Sequence, residues 1–292
     1  MVITEEVAGT QIRSTAACEV VRVRGERVAA QEDLLAVEEP LEIRLAFFEQ
    51  GKRVRRAVSI TMRTPGHDDE LAVGFLFTEG IITAPEQVVR VAGCKSGNVA
   101  CVSLRPGTEV DLSRLERHFY ATSSCGVCGK ASLKAVEVRP SVRCDAGSPI
   151  VDAAVLGRLP STLRAAQEVF DQTGGLHASA LFDASGELLC LREDVGRHNA
   201  LDKLIGSEFL AQRTPLTQSL LLVSGRVSFE LVQKAAVAGI PIMAAIGAPS
   251  SLAVDLARKH GMTLVGFVRD DRLNVYAGAE RIRQTTPAGL SA

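Results

Sequence analysis

The sequence predicts a mixed α/β protein, α+β overall. A smaller strand-rich α+β part (1–121) precedes a three-layer α/β domain (136–292), with a Cys-x-x-Cys loop (122–135) between them. Three observations predict it. Early in the chain, apolar and polar side chains alternate over several stretches, which is the period of half-buried strands. Later, helix-period segments alternate with short apolar runs, as a sheet covered on both faces requires. At 292 residues the chain is long enough for about two domains.

Residues 1–17 carry no clear period. Val21, Val23 and Val28 flank Arg22, Arg24 and Arg27 around Gly25, which predicts a hairpin over 19–30. Strands follow at 41–49 and 53–63, with Gly51-Lys52 as the turn. Thr64-Pro65-Gly66 punctuates the chain, and a helix is expected over 70–79, with Asp68 and Asp69 as cap residues and Gly80 as its stop. Two more strands are expected at 87–94 and 99–105. A helix at 152–170, with Pro160 as its candidate point of division, opens the second domain. It is followed by paired strands at 177–182 and 187–192, then a helix at 198–205, a strand at 219–223, a helix at 229–239 and a strand at 240–246. A helix at 251–260 and strands at 263–268 and 273–276 close the pattern. No period of repeat length recurs, which excludes a solenoid.

Composition excludes several function classes. A net charge of −1 offers no basic footprint for nucleic acid or an anionic membrane. The absence of Trp and the presence of only two Tyr argue against an aromatic stacking platform. The longest apolar run, 235–248, is interrupted by Gly239 and Pro241 and is too short to span a bilayer. The N-terminus lacks the basic and apolar regions of a signal peptide. Seven cysteines, an odd number spread along the chain, do not form a disulfide framework. A cytoplasmic protein is expected.

The segment 122–130, Thr-Ser-Ser-Cys-Gly-Val-Cys-Gly-Lys, places Cys125 and Cys128 among small polar residues. Gly126 and Gly129 allow sharp bends, and Ser123 and Ser124 favour turns over regular structure. A mobile, solvent-reachable loop with two sulfurs is expected, and Lys130 favours a thiolate there. Structural zinc needs four ligands, and Cys94 and Cys101, seven residues apart, lack the spacing of a knuckle. A zinc deaminase would need His-x-Glu ahead of the cysteines, whereas His177 follows them. A thioredoxin-like site remains conceivable, but sulfur relay by an exposed thiolate fits the loop better. No metal is expected. Cys18, Cys94, Cys101, Cys144 and Cys190 read as packing residues.

The densest polar segment, Leu-Arg-Glu-Asp-Val-Gly-Arg-His-Asn (191–199), lies where a strand ends and a helix begins. Either it is a capped helix start with a solvated charged face that includes Asp202 and Lys203, or Arg197, His198 and the helix N–H groups form an anion pocket. His177, after Thr173-Gly174-Gly175, could line the same pocket. Ser224-Gly225-Arg226-Val227-Ser228 is a second strand-to-helix turn, in which Arg226 could reach an anion and Ser228 could cap the helix. Phe267, Val268, Arg269, Asp270, Asp271 and Arg272 close the last strand pair near the same edge.

These motifs together resemble the formate dehydrogenase accessory sulfurtransferases, the FdhD family. The resemblance rests on Met62–Gly66 with Glu70–Phe75 and Glu79–Ile82, Thr122–Gly129, Thr173–His177, Arg192–Lys203, Ser224–Ser228 and Leu264–Arg269. It implies a sulfur carrier: a cysteine desulfurase would load a persulfide on Cys125, with Cys128 as its neighbour. The sulfur would pass to the bis(molybdopterin guanine dinucleotide) molybdenum cofactor before that cofactor enters formate dehydrogenase. That cofactor would be a client rather than a tightly held group, with GDP or GMP as its fragment. The resemblance also implies a C-terminal domain similar to the cytidine deaminase fold without zinc, and a homodimer. A chaperone that holds the cofactor without relaying sulfur is the alternative.

Overall fold

The computed structural model describes residues 3–5, 13–94, 97–111, 138 and 147–283. The first long element is an arm, β2 (Thr15–Arg24) and β3 (Arg27–Ala36), preceded by the short β1 (Ile3–Glu5). The expected hairpin is present and longer than its alternating stretch, with Gly25 at φ 60° in the turn. β4 (Glu39–Glu49) and β5 (Lys52–Arg63) form the second hairpin. Its turn is Gln50-Gly51, one residue earlier than expected, and both residues have positive φ (49° and 76°). That conformation matches the twist of the flanking strands, so a two-residue loop closes there.

β6 (Val88–Gly93) and β7 (Val99–Leu104) complete a five-stranded sheet of order β1-β6-β7-β4-β5. Leu41, Ile43, Leu45 and Phe47 alternate into its buried face. Against that face packs α1 (Asp68–Thr78). Asp68 and Asp69 are not its caps, contrary to expectation. They occupy the first turn, where carboxylates favour the positive helix end, and the N-cap is His67 in the left-handed region at φ 55°. Gly80, at φ 72°, stops the helix as expected.

The second unit begins with β8 (Val151–Asp152), α2 (Ala153–Ala166) and α3 (Glu168–Thr173). The expected single helix is divided at Gln167 and not at Pro160, which lies inside α2. The physical cause is remote in sequence: Glu193 accepts hydrogen bonds from the backbone N–H groups of Val169 and Phe170 (3.1 and 3.0 Å), so a strand residue caps a new helix. Then follow β9 (His177–Phe182), β10 (Leu188–Asp194), α4 (Arg197–Leu210), β11 (Leu220–Val223), α5 (Phe229–Val237), β12 (Ile242–Ala245), α6 (Ser251–Lys259), β13 (Thr263–Arg269) and β14 (Arg272–Ala277). A last short strand, β15 (Ile282–Arg283), pairs with β8.

Strands β9 to β14 form a six-stranded sheet of order β10-β9-β11-β12-β13-β14. β11 and β12 are wholly buried, as central parallel strands with both faces covered must be. Ala178, Ala180, Phe182, Leu222 and Ala244 face α2, while Leu181, Leu221, Met243 and Leu264 join the core with α4, α5 and α6. The expected three layers are present. No helix among the described residues is long and apolar enough to cross a membrane.

One contact joins the two sheets through their helices. α1 crosses α4 so closely that a Cβ added at Gly74 would lie 1.9 Å from the Asp202 carbonyl oxygen, and one added at Gly206 would lie 1.9 Å from that of Glu70. The layers therefore run α2, six-stranded sheet, α4 to α6, α1, five-stranded sheet. Because backbone opposes backbone at this crossing, no rotamer change can make room. Replacing Gly206 by Ala is expected to destabilise the fold by about 3 kcal/mol or more, read as a lower urea midpoint.

Candidate functional site

The parallel strands β11 and β12 end at the edge of the sheet where β9 begins and β10 ends, since Asp194 pairs with His177 and Ser179 with Val223. Two helices start there, α4 at Arg197 and α5 at Phe229. Open α/β sheets place ligand sites at such strand ends.

The structure brings together there His177, Arg197, His198, Ser224, Gly225 and Arg226. His198 Nε2 lies 3.0 Å from Glu230 Oε2 and 3.3 Å from Ser228 Oγ. Ser228 is the N-cap residue of α5, yet its hydroxyl makes no cap bond and faces the imidazole instead. The expected cap is therefore absent. Ser224 Oγ accepts from the Ala178 N–H (2.9 Å), tying the turn to β9. A Cβ added at Gly225 would sit 3.4 Å from the His177 ring, and one added at Gly247 would lie 2.8 Å from the Gly225 carbonyl. Gly247 is thus closed to a side chain by the backbone of the Gly225 turn, whereas a Cβ at Gly225 would meet the imidazole at ordinary contact distance.

His177 is half-buried, and its pKa lies below the usual histidine value. Burial is the main cause, assisted by the positive charge of Arg197 and by His198, against an opposing effect of Asp194. A neutral imidazole can donate at one nitrogen and accept at the other. With Arg197 and two helix N-termini beside it, the edge offers donors and positive potential suited to an anion.

The last expected segment divides. Phe267 reaches the edge, its N–H donating to the Gly247 carbonyl (3.1 Å), with φ 54° and its ring partly exposed. Val268 is buried in the α2-facing core, so only its backbone is available to a ligand. Arg269, Asp270, Asp271 and Arg272 are exposed at the β13–β14 turn, which lies over Gly157 of α2. Cys125 and Cys128 lie outside the described residues, as does Cys144. Cys18, Cys101 and Cys190 are free thiols, and these three and Cys94 are partly exposed. Cys190 packs against the core, and burial pushes its thiol up.

Sequence reasoning missed what holds the edge in place. Asp202 and Lys203 are not on a solvated face: both are buried. Lys203 Nζ lies 2.7 Å from the fully buried Asp194 carboxylate and donates to the Thr64 carbonyl (2.8 Å). Asp194 also accepts from the N–H groups of Thr64 (3.1 Å) and Gly196 (2.8 Å) and from Asn199 (3.1 Å). Asn199 in turn donates to the Met62 carbonyl (2.8 Å). The turn carrying Arg197 and His198 is thereby fastened to the end of β5. A second network places Asp202 with Lys234 (2.9 Å) and Thr78 (2.9 Å). A cavity of about 340 Å³ opens beside Asp194's network, lined by Thr64, His67, Val169, Leu176, Arg192 and Lys203 among others. A sequence signal existed: Asn199 and Lys203 are four apart, so they share one helix face.

Comparison with known proteins decides the family. The model of the FdhD/NarQ family matches residues 36–283. The chain belongs to the FdhD/NarQ family. It is 54% identical over 261 residues to the sulfur carrier protein FdhD of Mycolicibacterium paratuberculosis, covering 87% of this chain and 93% of that one. It is 50% identical to that of Streptomyces avermitilis, covering 92% and 96%. Among solved structures, a protein assigned as a formate dehydrogenase accessory protein from Desulfotalea psychrophila superposes with a TM-score of 0.70. That match has 26% identity and covers 93% of this chain and 100% of that one. The family region takes in the six-stranded sheet, strands β4 to β7 of the five-stranded sheet, and every residue of the Asp194 network.

A further cross-unit contact gives this family member a pH signature. Arg192 on β10 grips Glu70 on α1 through Nη2 to Oε1 (2.7 Å), and His67 adds a contact at 3.3 Å. Burial alone would raise the Glu70 carboxyl, but hydrogen bonds from Arg192 and His67 outweigh it and bring the pKa down to about 2. The unfolded chain then takes up this proton first as pH falls. The stabilisation, on the order of 3 kcal/mol, is complete above about pH 4.5 and lost as pH approaches 2. The stability gap between the wild type and Glu70→Gln should therefore narrow between those values in urea titrations.

Proposed function

We propose that this protein is a sulfurtransferase-type carrier. It accepts persulfide sulfur from a cysteine desulfurase and delivers it to the bis(molybdopterin guanine dinucleotide) molybdenum cofactor before insertion into formate dehydrogenase. The observation that carries this reading is the sheet edge with His177, Arg197, His198 and Ser224–Arg226, whose donors suit the phosphates of a guanine nucleotide arm. The names of the relatives, sulfur carriers and a formate dehydrogenase accessory protein, support the same direction.

The chemistry balances with the two thiols of the Cys-x-x-Cys segment. The Cys125 thiolate attacks the outer sulfur of the donor's persulfide, and the donor cysteine leaves as a thiolate. Delivery as sulfide needs two electrons. Attack of the Cys128 thiolate on Cys125 supplies them, releasing hydrosulfide and leaving a Cys125–Cys128 disulfide. The nucleotide edge holds the acceptor while this occurs.

Cys125→Ala should fold normally, take up no sulfur from a desulfurase and cysteine by intact mass, and fail to support client activity. Full client activity in that variant would favour a chaperone that only holds the cofactor. GMP or GDP should bind the wild type and Cys125→Ala equally, and less tightly as salt rises. Arg197→Ala should weaken that binding by roughly 1.5–3 kcal/mol by calorimetric titration; unchanged binding would remove the edge from the site.

A further inference from the structure

Two cysteines that read as packing residues stand on the outer face of the five-stranded sheet. Ala100, Val102 and Leu104 turn β7 toward the core, so Val99, Cys101 and Ser103 occupy the opposite, partly exposed face. On β6, Gly93 pairs with Ala100 and Ala92 with Cys101. The ladder runs one residue further, because the Cys94 N–H donates to the Val99 carbonyl (3.1 Å). Cys94 and Cys101 are therefore diagonal neighbours on one face, and both are partly exposed. The turn after Cys94 is pinned. The Gly97 N–H donates to the Cys94 carbonyl (3.0 Å), the buried Arg63 donates to the Gly97 carbonyl (2.9 Å), and the Glu42 N–H donates to the Asn98 carbonyl (2.9 Å). On the other side of Cys101, Arg44 of β4 is its register partner. The Arg44 guanidinium is held above its ordinary pKa chiefly by Glu42, and Cys101 and Cys94 both add to the effect, so both thiols lie within electrostatic reach of one cation.

We propose that Cys94 and Cys101 form a two-coordinate site for monovalent copper. Spacing and ligand count favour that ion. Diagonal neighbours across a strand pair are about 7–8 Å apart between Cα atoms, which is more than the roughly 4.4–6.8 Å that a disulfide spans. Two sulfurs joined through one ion stand up to about 4.6 Å apart, twice a metal–sulfur bond of ~2.3 Å, and such a bridge covers the longer gap. Zinc and iron–sulfur clusters take four ligands. Among the described residues, no three His, Cys, Asp or Glu side chains gather to hold an ion. Monovalent copper is soft, selects thiolates and is held by two of them in line. On binding, Cu(I) replaces the two thiol protons, which pass to solvent, and no electron is transferred. The product carries one net negative charge, and Arg44 lies beside it as the counter-charge. This face belongs to a different sheet from the candidate edge, and the inference does not rest on the sulfur-carrier reading.

Anaerobic Cu(I) titration of the full chain carrying Cys125→Ser and Cys128→Ser tests it, since that other thiol pair would take the same ion. With Cu(I) buffered by bicinchoninate, this chain should bind one ion, and X-ray absorption should show two sulfur neighbours. Adding Cys94→Ser or Cys101→Ser should weaken binding more than about a hundredfold, beyond the roughly tenfold expected of Arg44→Ala as an outer partner. Adding Cys18→Ser or Cys190→Ser should leave binding unchanged. Bound copper should also shield Cys94 and Cys101, and no other cysteine, from alkylation. That measurement needs neither Cys94 nor Cys101 replaced, so it decides the matter if one of their serine variants does not fold. No uptake of Cu(I), uptake unaffected by Cys94→Ser, three or more ligands at the ion, or protection of a different pair of cysteines would each overturn the proposal.

Discussion

The carboxylate of Asp194 is the constraint on which the candidate edge depends. It sits at the end of β10 with no exposure to solvent, and Lys203 is its counter-charge. Removing both ions from water is expensive, and the pair is tolerable because nearly every remaining donor and acceptor is matched. The N–H groups of Thr64 and Gly196, the Asn199 amide and the Thr64 carbonyl complete the set. Since two of these partners belong to Thr64 after β5, the buried pair is fully satisfied only when the two sheets are assembled. Fold assembly and site assembly are therefore one event at this point.

The glycine crossing of α1 and α4 makes that assembly possible. Side chains larger than hydrogen at Gly74 or Gly206 would separate the helices and draw Thr64 away from Asp194. The Glu70–Arg192 and Asp202–Lys234–Thr78 contacts flank the crossing and are also made between the units. Charges that look like a solvated helix face in sequence are thus spent internally. What this leaves unspent at the candidate edge is a different set: Arg197, His177, the Ser224–Arg226 turn and the helix N–H groups. His198 stands between the sets, held by Glu230 and open to the edge.

Much of the fold was legible in the sequence because its elements are amphipathic with an unbroken period. Alternation located β4 and β5, and apolar runs located β11 and β12, whose burial leaves no room for polar residues. The errors fall where a distant residue intervenes. The α2–α3 division follows from Glu193, and Ser228 gives up its cap role to His198. His67, in the left-handed region, is the N-cap in place of the aspartates, which lie inside the first turn. None of these has a local signal.

By itself the sequence determined the order of elements, the clustering of polar residues at strand-to-helix turns and the position of the two thiols. Those features depend on local period and on short-range backbone preference. Only the tertiary structure decided which charges face one another. Asp194 and Thr64 are far apart in the chain, and so are Glu70 and Arg192, yet each pair is in contact. Whether a charged side chain is solvated or buried against its counter-charge is fixed by how helices and sheets pack. That packing turns on two backbones meeting at Gly74 and Gly206, a contact that leaves no periodic trace in the residues around it.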